Sequence, residues 1–376
     1  MKKRFHKNLP GITSLLSGTL ILVSARNAWA FPELVRYGYN NCIACHYSPS
    51  GGGILTPYGR EFSANTLSMF NANGAFLFGA VKPPNWLALQ GEFSSLNLIT
   101  TDPVTQTATP SHIFMQEDLE GALVFKKFVI DGTIGRQDSA PAPQNNEFFT
   151  RRFFVQYKPT NQTSIRAGKF LRDFGINSSD HETAVKQGLG FDQGSETYNI
   201  EGAWLGEKVT VFLTGDFGRP DDLSLNAEKG VVLNGSYFFG GSNRVGLSYA
   251  YGTNSLANRN VFGPYWALGF TKHFSLLSEF DFQRNFESTF DNPQWGYADY
   301  QRLDYEILQG LHLYMLQNFS QLDFSNPGVR DEGYGFGIQY FPIAHVETRL
   351  VWERRRSASV SPDYGNWYYF DFHFYP

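Results

Sequence analysis

Arg302-Leu303-Asp304-Tyr305-Glu306-Ile307 runs into Leu308-Gln309-Gly310 and then into a second apolar stretch. Charged Arg302, Asp304 and Glu306 alternate with apolar Leu303, Tyr305 and Ile307. A period of two puts these sets on opposite faces of a β-strand. Residues 299–319 could be one long strand or two, and a tight turn at Leu308-Gln309-Gly310 makes them two. The same alternation recurs along the chain. Tyr198, Ile200 and Trp204 alternate with Asn199, Glu201 and Ala203; Val245, Leu247, Tyr249 and Tyr251 with Arg244, Gly246, Ser248 and Ala250. Val346, Leu350 and Trp352 alternate with Glu347, Arg349 and Glu353, and Phe370, Phe372 and Phe374 with Asp371, His373 and Tyr375.

A soluble sandwich also alternates. The connections between these stretches decide against it. Short ones fall at 125–127, 158–161, 205–207, 240–243 and 271–273, and longer ones near 138–149, 173–195, 216–228, 286–298 and 320–332. Alternating short and long connections mark outer-membrane barrels, with the short turns periplasmic. Aromatic clusters such as Tyr237-Phe238-Phe239 and Trp367-Tyr368-Tyr369 match interfacial girdles. An even strand number brings both ends to the periplasmic side, and with the turn at 308–310 the count is about sixteen, with fourteen and eighteen open. The expected fold is all-β: a closed antiparallel transmembrane barrel over residues 86–376, located in a bacterial outer membrane.

Composition agrees. Charged residues are 18% of the 376, below the roughly 25% usual for soluble domains. The 42% hydrophobic and 16% aromatic content excludes a disordered chain. Mean hydropathy is −0.31, which excludes a helical membrane protein.

Residues 1–30 read as a secretory signal. Lys2, Lys3, Arg4 and Lys7 precede an apolar stretch from Ile12 to Ala25, and Ala28-Trp29-Ala30 gives a cleavage pattern. The alternative is an N-terminal membrane anchor, for which the apolar run is short. The full chain carries 31 basic and 35 acidic residues; five of the basic ones and none of the acidic ones precede residue 31. The mature chain is therefore near −9, which argues against nucleic acid as a partner.

Both cysteines lie in Cys42-Ile43-Ala44-Cys45-His46. In an exported protein C-x-x-C-H is the attachment signature of a c-type haem. Two thiols at this spacing reach the two vinyl groups of one porphyrin edge, and the histidine binds iron. A thioredoxin-like redox pair usually opens a helix in a βαβ unit, which the pattern lacks, and a zinc site lacks a second cysteine pair. Gly51-Gly52-Gly53 allows close backbone approach to a flat ring. Arg36 and Arg60 are candidate partners for haem propionates, with ion pairs to barrel acids as the alternative. Met69 is the nearest downstream methionine and a candidate sixth ligand; packing beside Leu67 and Phe70 is the alternative, and His112, His181, His312 and His373 stay open as ligands. The segment 31–85 is too short for a self-sufficient core. A barrel of this size has a lumen to fill, so the segment is expected to plug it.

An export signal, one C-x-x-C-H, a following Tyr58-Gly59-Arg60-Glu61-Phe62 and then a barrel resemble the fused monohaem cytochrome–porins of the bacterial outer membrane, the best understood being iron oxidases. The resemblance covers the whole chain as architecture and about 25 residues as motif. It implies thioethers at Cys42 and Cys45, a proximal ligand at His46, one covalent haem c, and electron transfer between an extracellular donor or acceptor, ferrous iron among them, and periplasmic c-type cytochromes. The alternative function is a substrate-specific porin with a structural or regulatory haem. The chain departs from the iron oxidases in its longer stretch between His46 and Tyr58 and in its Pro376 terminus.

Other chemistry is thinner. Asp180-His181-Glu182 falls in the longest outer loop and reads as solvated rather than cation-binding. Arg354-Arg355-Arg356 at an outer strand end could meet lipopolysaccharide phosphates or be solvated loop charge. Glu201, Glu279, Asp281, Asp304 and Glu306 line the lumen and are expected to pair with Arg166, Arg244, Arg302 and Arg349. No P-loop, H-E-x-x-H or Ser-His-Asp pattern occurs.

Overall fold

In the computed structural model, residues 32–39, 41–136, 149–178, 180, 183–223, 226–288, 292–359 and 361–376 are described. The export signal lies outside them. Sixteen strands follow one another: β1 Leu87–Thr101, β2 Ala108–Val124, β3 Phe128–Arg136, β4 Phe153–Tyr157, β5 Thr163–Phe170, β6 Thr197–Leu205, β7 Val209–Asp216 and β8 Lys229–Phe239. The second half is β9 Asn243–Thr253, β10 Ala257–Gly269, β11 Phe274–Glu287, β12 Gln294–Leu308, β13 Leu311–Gln321, β14 Arg330–Tyr340, β15 Val346–Ser357 and β16 Gly365–Phe374. Each pairs antiparallel with its neighbours, and β1 pairs with β16 from Phe93 opposite Phe374 to Thr100 opposite Trp367. Closure leaves no unpaired edge.

The turn after Leu308 is where the sequence places it. Gly310 takes a φ of +76°, which a side chain resists, and β12 and β13 pair back from Leu308 opposite Leu311. One outer connection is short and absent from the sequence reading, and one that was read as long is partly strand. β9 and β10 are joined by only three residues, with Asn254 N–H donating to Ala257 O at 3.0 Å. Strand pairing also continues into the stretch read as a long loop near 286–298, up to Glu287 and from Gln294. Asn254-Ser255 in the first and Ser288-Thr289 with Asp291-Asn292 in the second are turn-forming polar residues, so composition alone does not separate a loop from an outer strand end.

The two faces follow the period of two. Ile200, Leu213, Leu247, Met315 and Leu350 point outward and are each more than half exposed. Inward residues Glu201, Thr214, Ser248 and Asp304 are buried. An apolar exterior around a polar interior suits a lipid surround. At the short-turn end Phe128 stacks on Tyr157 at 4.8 Å and Tyr237 on Phe239 at 6.2 Å, forming part of the aromatic girdle.

Two segments enter the lumen. One is the chain before β1. The other is the β5–β6 connection, where Phe174 and Phe191 stack at 4.1 Å. Ile176 N–H donates to Glu279 at 2.7 Å and Gly175 N–H to Ser248 at 2.9 Å. This connection was expected to be solvated outside. Instead Asp180 reaches Arg302 at 3.0 Å and also pairs with Arg349. Two buried guanidinium groups need carboxylates more than the loop needs water. Burial opposes ionisation of Asp180, but Arg302 and Arg349 outweigh it and hold the carboxyl down at about 2. A depressed folded pKa contributes stability at neutral pH that is lost as pH falls through about 2. His181 and Glu182 lie outside the described residues.

Arg302 is the centre of the lumen network. It lies 4.0 Å from the centroid of the Tyr314 ring and pairs with Asp304 at 2.9 Å, Asp180 at 3.0 Å and Glu33 at 3.3 Å. Arg302→Met is expected to destabilise the barrel by about 3–5 kcal/mol, because buried carboxylates lose their cation. The heat-induced gel shift of the folded barrel measures it. A change within about 0.5 kcal/mol, usual for surface substitutions, would contradict the coupling.

Candidate functional site

The haem signature forms a tight loop against the inner wall. Cys42–Ala44 make one 3-10 turn, with Cys45 N–H and His46 N–H donating to Cys42 O at 3.2 and 3.0 Å. His46 pairs antiparallel with Leu55, and Tyr47 N–H donates to Ile54 O at 3.2 Å. Between these arms Gly51, Gly52 and Gly53 all take positive φ, at +88°, +72° and +65°. Such a run is open to glycine and strained for other residues.

The turn carries the Gly53 carbonyl to the histidine. His46 Nδ1 lies 3.1 Å from Gly53 O, and a carbonyl can only accept, so Nδ1 donates. The lone pair is thereby assigned to Nε2, which is buried without a hydrogen-bond partner. Burial pushes the ring's pKa down to about 4, so it is neutral at physiological pH. A metal-binding histidine is arranged in this way: one nitrogen anchored to a carbonyl, the other free as a ligand.

Gly59 is the second fixed glycine. A β-carbon there would overlap the Cys45 backbone, so the short helix α1, Pro57–Phe62, packs directly on the backbone of Cys45. Thr56 caps α1, accepting from Gly59 N–H at 3.1 Å and donating its own hydroxyl to Ala44 O. Tyr39 meets Phe62 edge-on at 5.0 Å. Cys45 is buried among Leu34, Val35, Leu55 and Phe62. Both cysteines are free thiols, and burial pushes each up to about 12. A reactive redox dithiol needs the opposite shift.

The structure separates the remaining candidates. Arg36 is buried and pairs with Asp304 at 3.2 Å and Glu306 at 3.1 Å, both on β12. Arg60 is bonded to the Leu89 carbonyl, and its Nη1 is buried without a hydrogen-bond partner. Burial lowers its pKa to about 10. Met69 is not brought to His46. It lies across the rim on the outer wall, where its sulfur accepts from Tyr340 O–H at 3.6 Å beside Ile338, Leu350 and Phe370. The chain leaves the lumen there, with Met69 N–H donating to Phe341 O at 2.8 Å. His312 Nδ1 donates to the Asp304 carboxylate at 2.9 Å, and His373 lies 3.3 Å from both Glu92 and Glu347.

Of the lumen acids, Glu201 pairs with Arg166 at 2.7 Å and Asp304 with Arg302. Arg166 also donates to Ser48 and Ser50, tying the wall to the haem-motif loop. Arg244 departs from expectation, donating to Tyr265 O–H and Ser236. Arg355 and Arg356 pair with Asp331 and Glu332 at the outer rim. Sequence reasoning missed Arg152, which lies along Glu120 at 2.8 Å and against Gly53. Its signal is the Arg151-Arg152 pair at the start of β4, opposite two inward acids of β2.

Gly53→Ala would force a β-carbon into the Arg152 guanidinium at a positive φ. The expected cost is about 1–3 kcal/mol, together with a shifted Gly53 carbonyl. The His46 ring, read by NMR with labelled histidine, should lose its single tautomer.

A haem c fits the donors present: two free thiols on one turn, a neutral imidazole with its lone pair unengaged, and Arg60 with an unmatched donor. The cavity bordering Ser48–Gly53 encloses about 100 Å³, below the ~300 Å³ at the lower end of small-molecule sites. Seating a porphyrin therefore requires the surrounding side chains to part.

No family model matches the chain, and no curated protein matches it. Solved structures do. The barrel is similar to a loop-deleted form of OmpT, an outer membrane protein of Vibrio cholerae, at a TM-score of 0.61 and 10% identity over 77% of this chain and 99% of that one. It is similar to the outer membrane channel DcaP of Acinetobacter baumannii, at 0.57 and 9% over 79% and 99%. The anion-selective porin from Comamonas acidovorans matches at 0.57 and 9% over 77% and 99%. The shared feature is the closed outer-membrane barrel.

Proposed function

We propose that this chain is an outer-membrane barrel carrying one covalent haem c on its N-terminal segment, and that it passes electrons between an extracellular donor or acceptor and periplasmic carriers. The observation that supports this is the His46 ring, anchored by Nδ1 to Gly53 O and free at a buried Nε2. Cys42 and Cys45 would hold the macrocycle, His46 would bind the iron, and Arg60 would meet a propionate. Bound there, haem supplies one-electron chemistry. The protein's part is to fix the histidine tautomer through Gly53, to exclude water with Tyr39, Leu55 and Phe62, and to insulate the centre from lipid with the barrel wall. Ferrous iron is the donor that the sequence resemblance implies.

A second reading is a porin. It is favoured by the likeness to structures described as a channel and an anion-selective porin, and by the polar lumen. The two part on what fills the lumen, because a plugged barrel carries charge through a cofactor and an open one carries ions. A visible spectrum of the membrane-extracted protein, with single-channel recording on the same sample, tests both. Haem c absorbance with no ion conductance supports electron transfer. Conductance without haem absorbance supports the porin. Prompt reduction of the haem by ferrous iron, which is itself oxidised to the ferric ion, identifies the donor.

A further inference from the structure

Lysine is unevenly distributed over this barrel. After residue 30 the chain has nine lysines. Six of them, Lys82, Lys126, Lys127, Lys158, Lys208 and Lys272, lie in or beside the connections at the short-turn end. All but Lys158 are exposed. Glu207 is the acid in those turns, and Glu61 on α1 is the acid exposed in the mouth among the described residues. Yet the mature chain is net negative, near −9. Exposed lysine is therefore concentrated on the periplasmic rim, while arginines such as Arg330, Arg355 and Arg356 stand on the outer rim paired with acids.

Its placement is selective. The connections 240–242, 309–310 and 341–345 carry no lysine, and the last two are covered by residues 65–74. Gln309 donates to the carbonyls of Asn65 and Ser68, and His345 Nε2 lies 2.7 Å from Gly74 O. Lysines stand on the β2–β3, β4–β5, β6–β7 and β10–β11 turns, which remain open. That open arc flanks α1, whose Tyr58 is 44% exposed. Tyr58 O–H is hydrogen-bonded to Tyr39 at 2.9 Å, and Tyr39 packs with Cys45. The charge flanks the exposed face of α1, where Tyr58 and Glu61 meet solvent.

We infer that this lysine arc is the docking surface for a soluble periplasmic electron carrier with an acidic face, seated over Tyr58 and α1. The inference rests on the electron-transfer reading above. Opposed charge steers encounter and orients the partner without demanding a large apolar contact. A transient carrier needs that: fast association, one orientation and quick release.

The test uses the full-length protein in nanodiscs of zwitterionic phospholipid. An acidic soluble c-type cytochrome is the probe, and a basic one of similar size is the comparison. Association is followed by interferometry, which does not depend on haem in the barrel. The acidic probe is expected to associate about tenfold more slowly at 500 mM than at 50 mM salt. Joint K126E, K127E, K208E and K272E should slow it about tenfold at low salt, while Lys229→Glu on the opposite rim leaves it unchanged. An equal response to Lys229→Glu, or none to the fourfold variant, overturns the proposal. So does loss of retained phosphatidylglycerol in that variant with probe association intact, which would make the arc a lipid contact. Absence of haem absorbance instead overturns the electron-transfer reading, and is scored separately from the same sample.

Discussion

Replacing Cys42 and Cys45 together with alanine is expected to abolish covalent haem while leaving the barrel folded. The separation follows from where the two structures meet. The barrel is held by sixteen strand pairings, none of which includes either cysteine. Cys45 adds one small buried side chain to the cluster around Leu55 and Phe62, and Cys→Ala there costs on the order of 1 kcal/mol. Haem-dependent peroxidase staining after denaturing electrophoresis should fall from full intensity to background. The heat-dependent gel shift should persist. His46→Ala should behave differently: thioethers still form, but the iron loses its anchored ligand and the Soret band shifts. Staining that survives the double substitution would remove the central claim.

Deleting residues 32–80 is the second large expectation. This segment provides Arg36 to Asp304 and Glu306, Glu33 to Arg302, and the loop that accepts Arg166. Its removal should turn a non-conducting barrel into one with stepwise single-channel currents, a change from background to a resolvable step. The β5–β6 connection stays behind, held by Ser248, Glu279 and the Asp180 pairs. The opened pore should therefore be narrow, and further removal of that connection should widen it. Asp304 and Glu306 would then face water with one cation fewer, so the narrow pore should favour cations. Equal currents before and after deletion would mean that the segment does not fill the lumen.

Much of the barrel was legible because period two is a strong local signal. Arg302, Asp304 and Glu306 against Leu303, Tyr305 and Ile307 could be read without any knowledge of their partners. The turn at Gly310 was legible because only glycine takes that φ easily. The connections were harder. Asn254 and Asn258 look like loop residues, yet they close a three-residue turn between strands. In the site, C-x-x-C-H was legible from spacing, but the purpose of the glycines was not. They bring the Gly53 carbonyl to His46 Nδ1, a contact between residues seven apart that depends on three consecutive left-handed residues. Arg36 and Arg60 looked equivalent in sequence. Their difference is long-range: β12 supplies Arg36 with two carboxylates, and the wall near Arg60 supplies only a carbonyl. Asp180 was misjudged for the same reason, since nothing local announces Arg302 and Arg349.

The clasp of residues 65–74 over the rim has a consequence for mass action. A carrier docked from solution is diluted when its membrane is diluted, and its occupancy follows its abundance. Here the N-terminal segment is continuous with β1 and pinned at Phe341, Pro342 and His345, so its encounter with the barrel is intramolecular. Stoichiometry is fixed at one per barrel at any expression level. A substitution in the wall, at Asp304 for instance, then acts on every copy of the N-terminal segment, and second-site suppressors of a defect in that segment should map to strands hundreds of residues away.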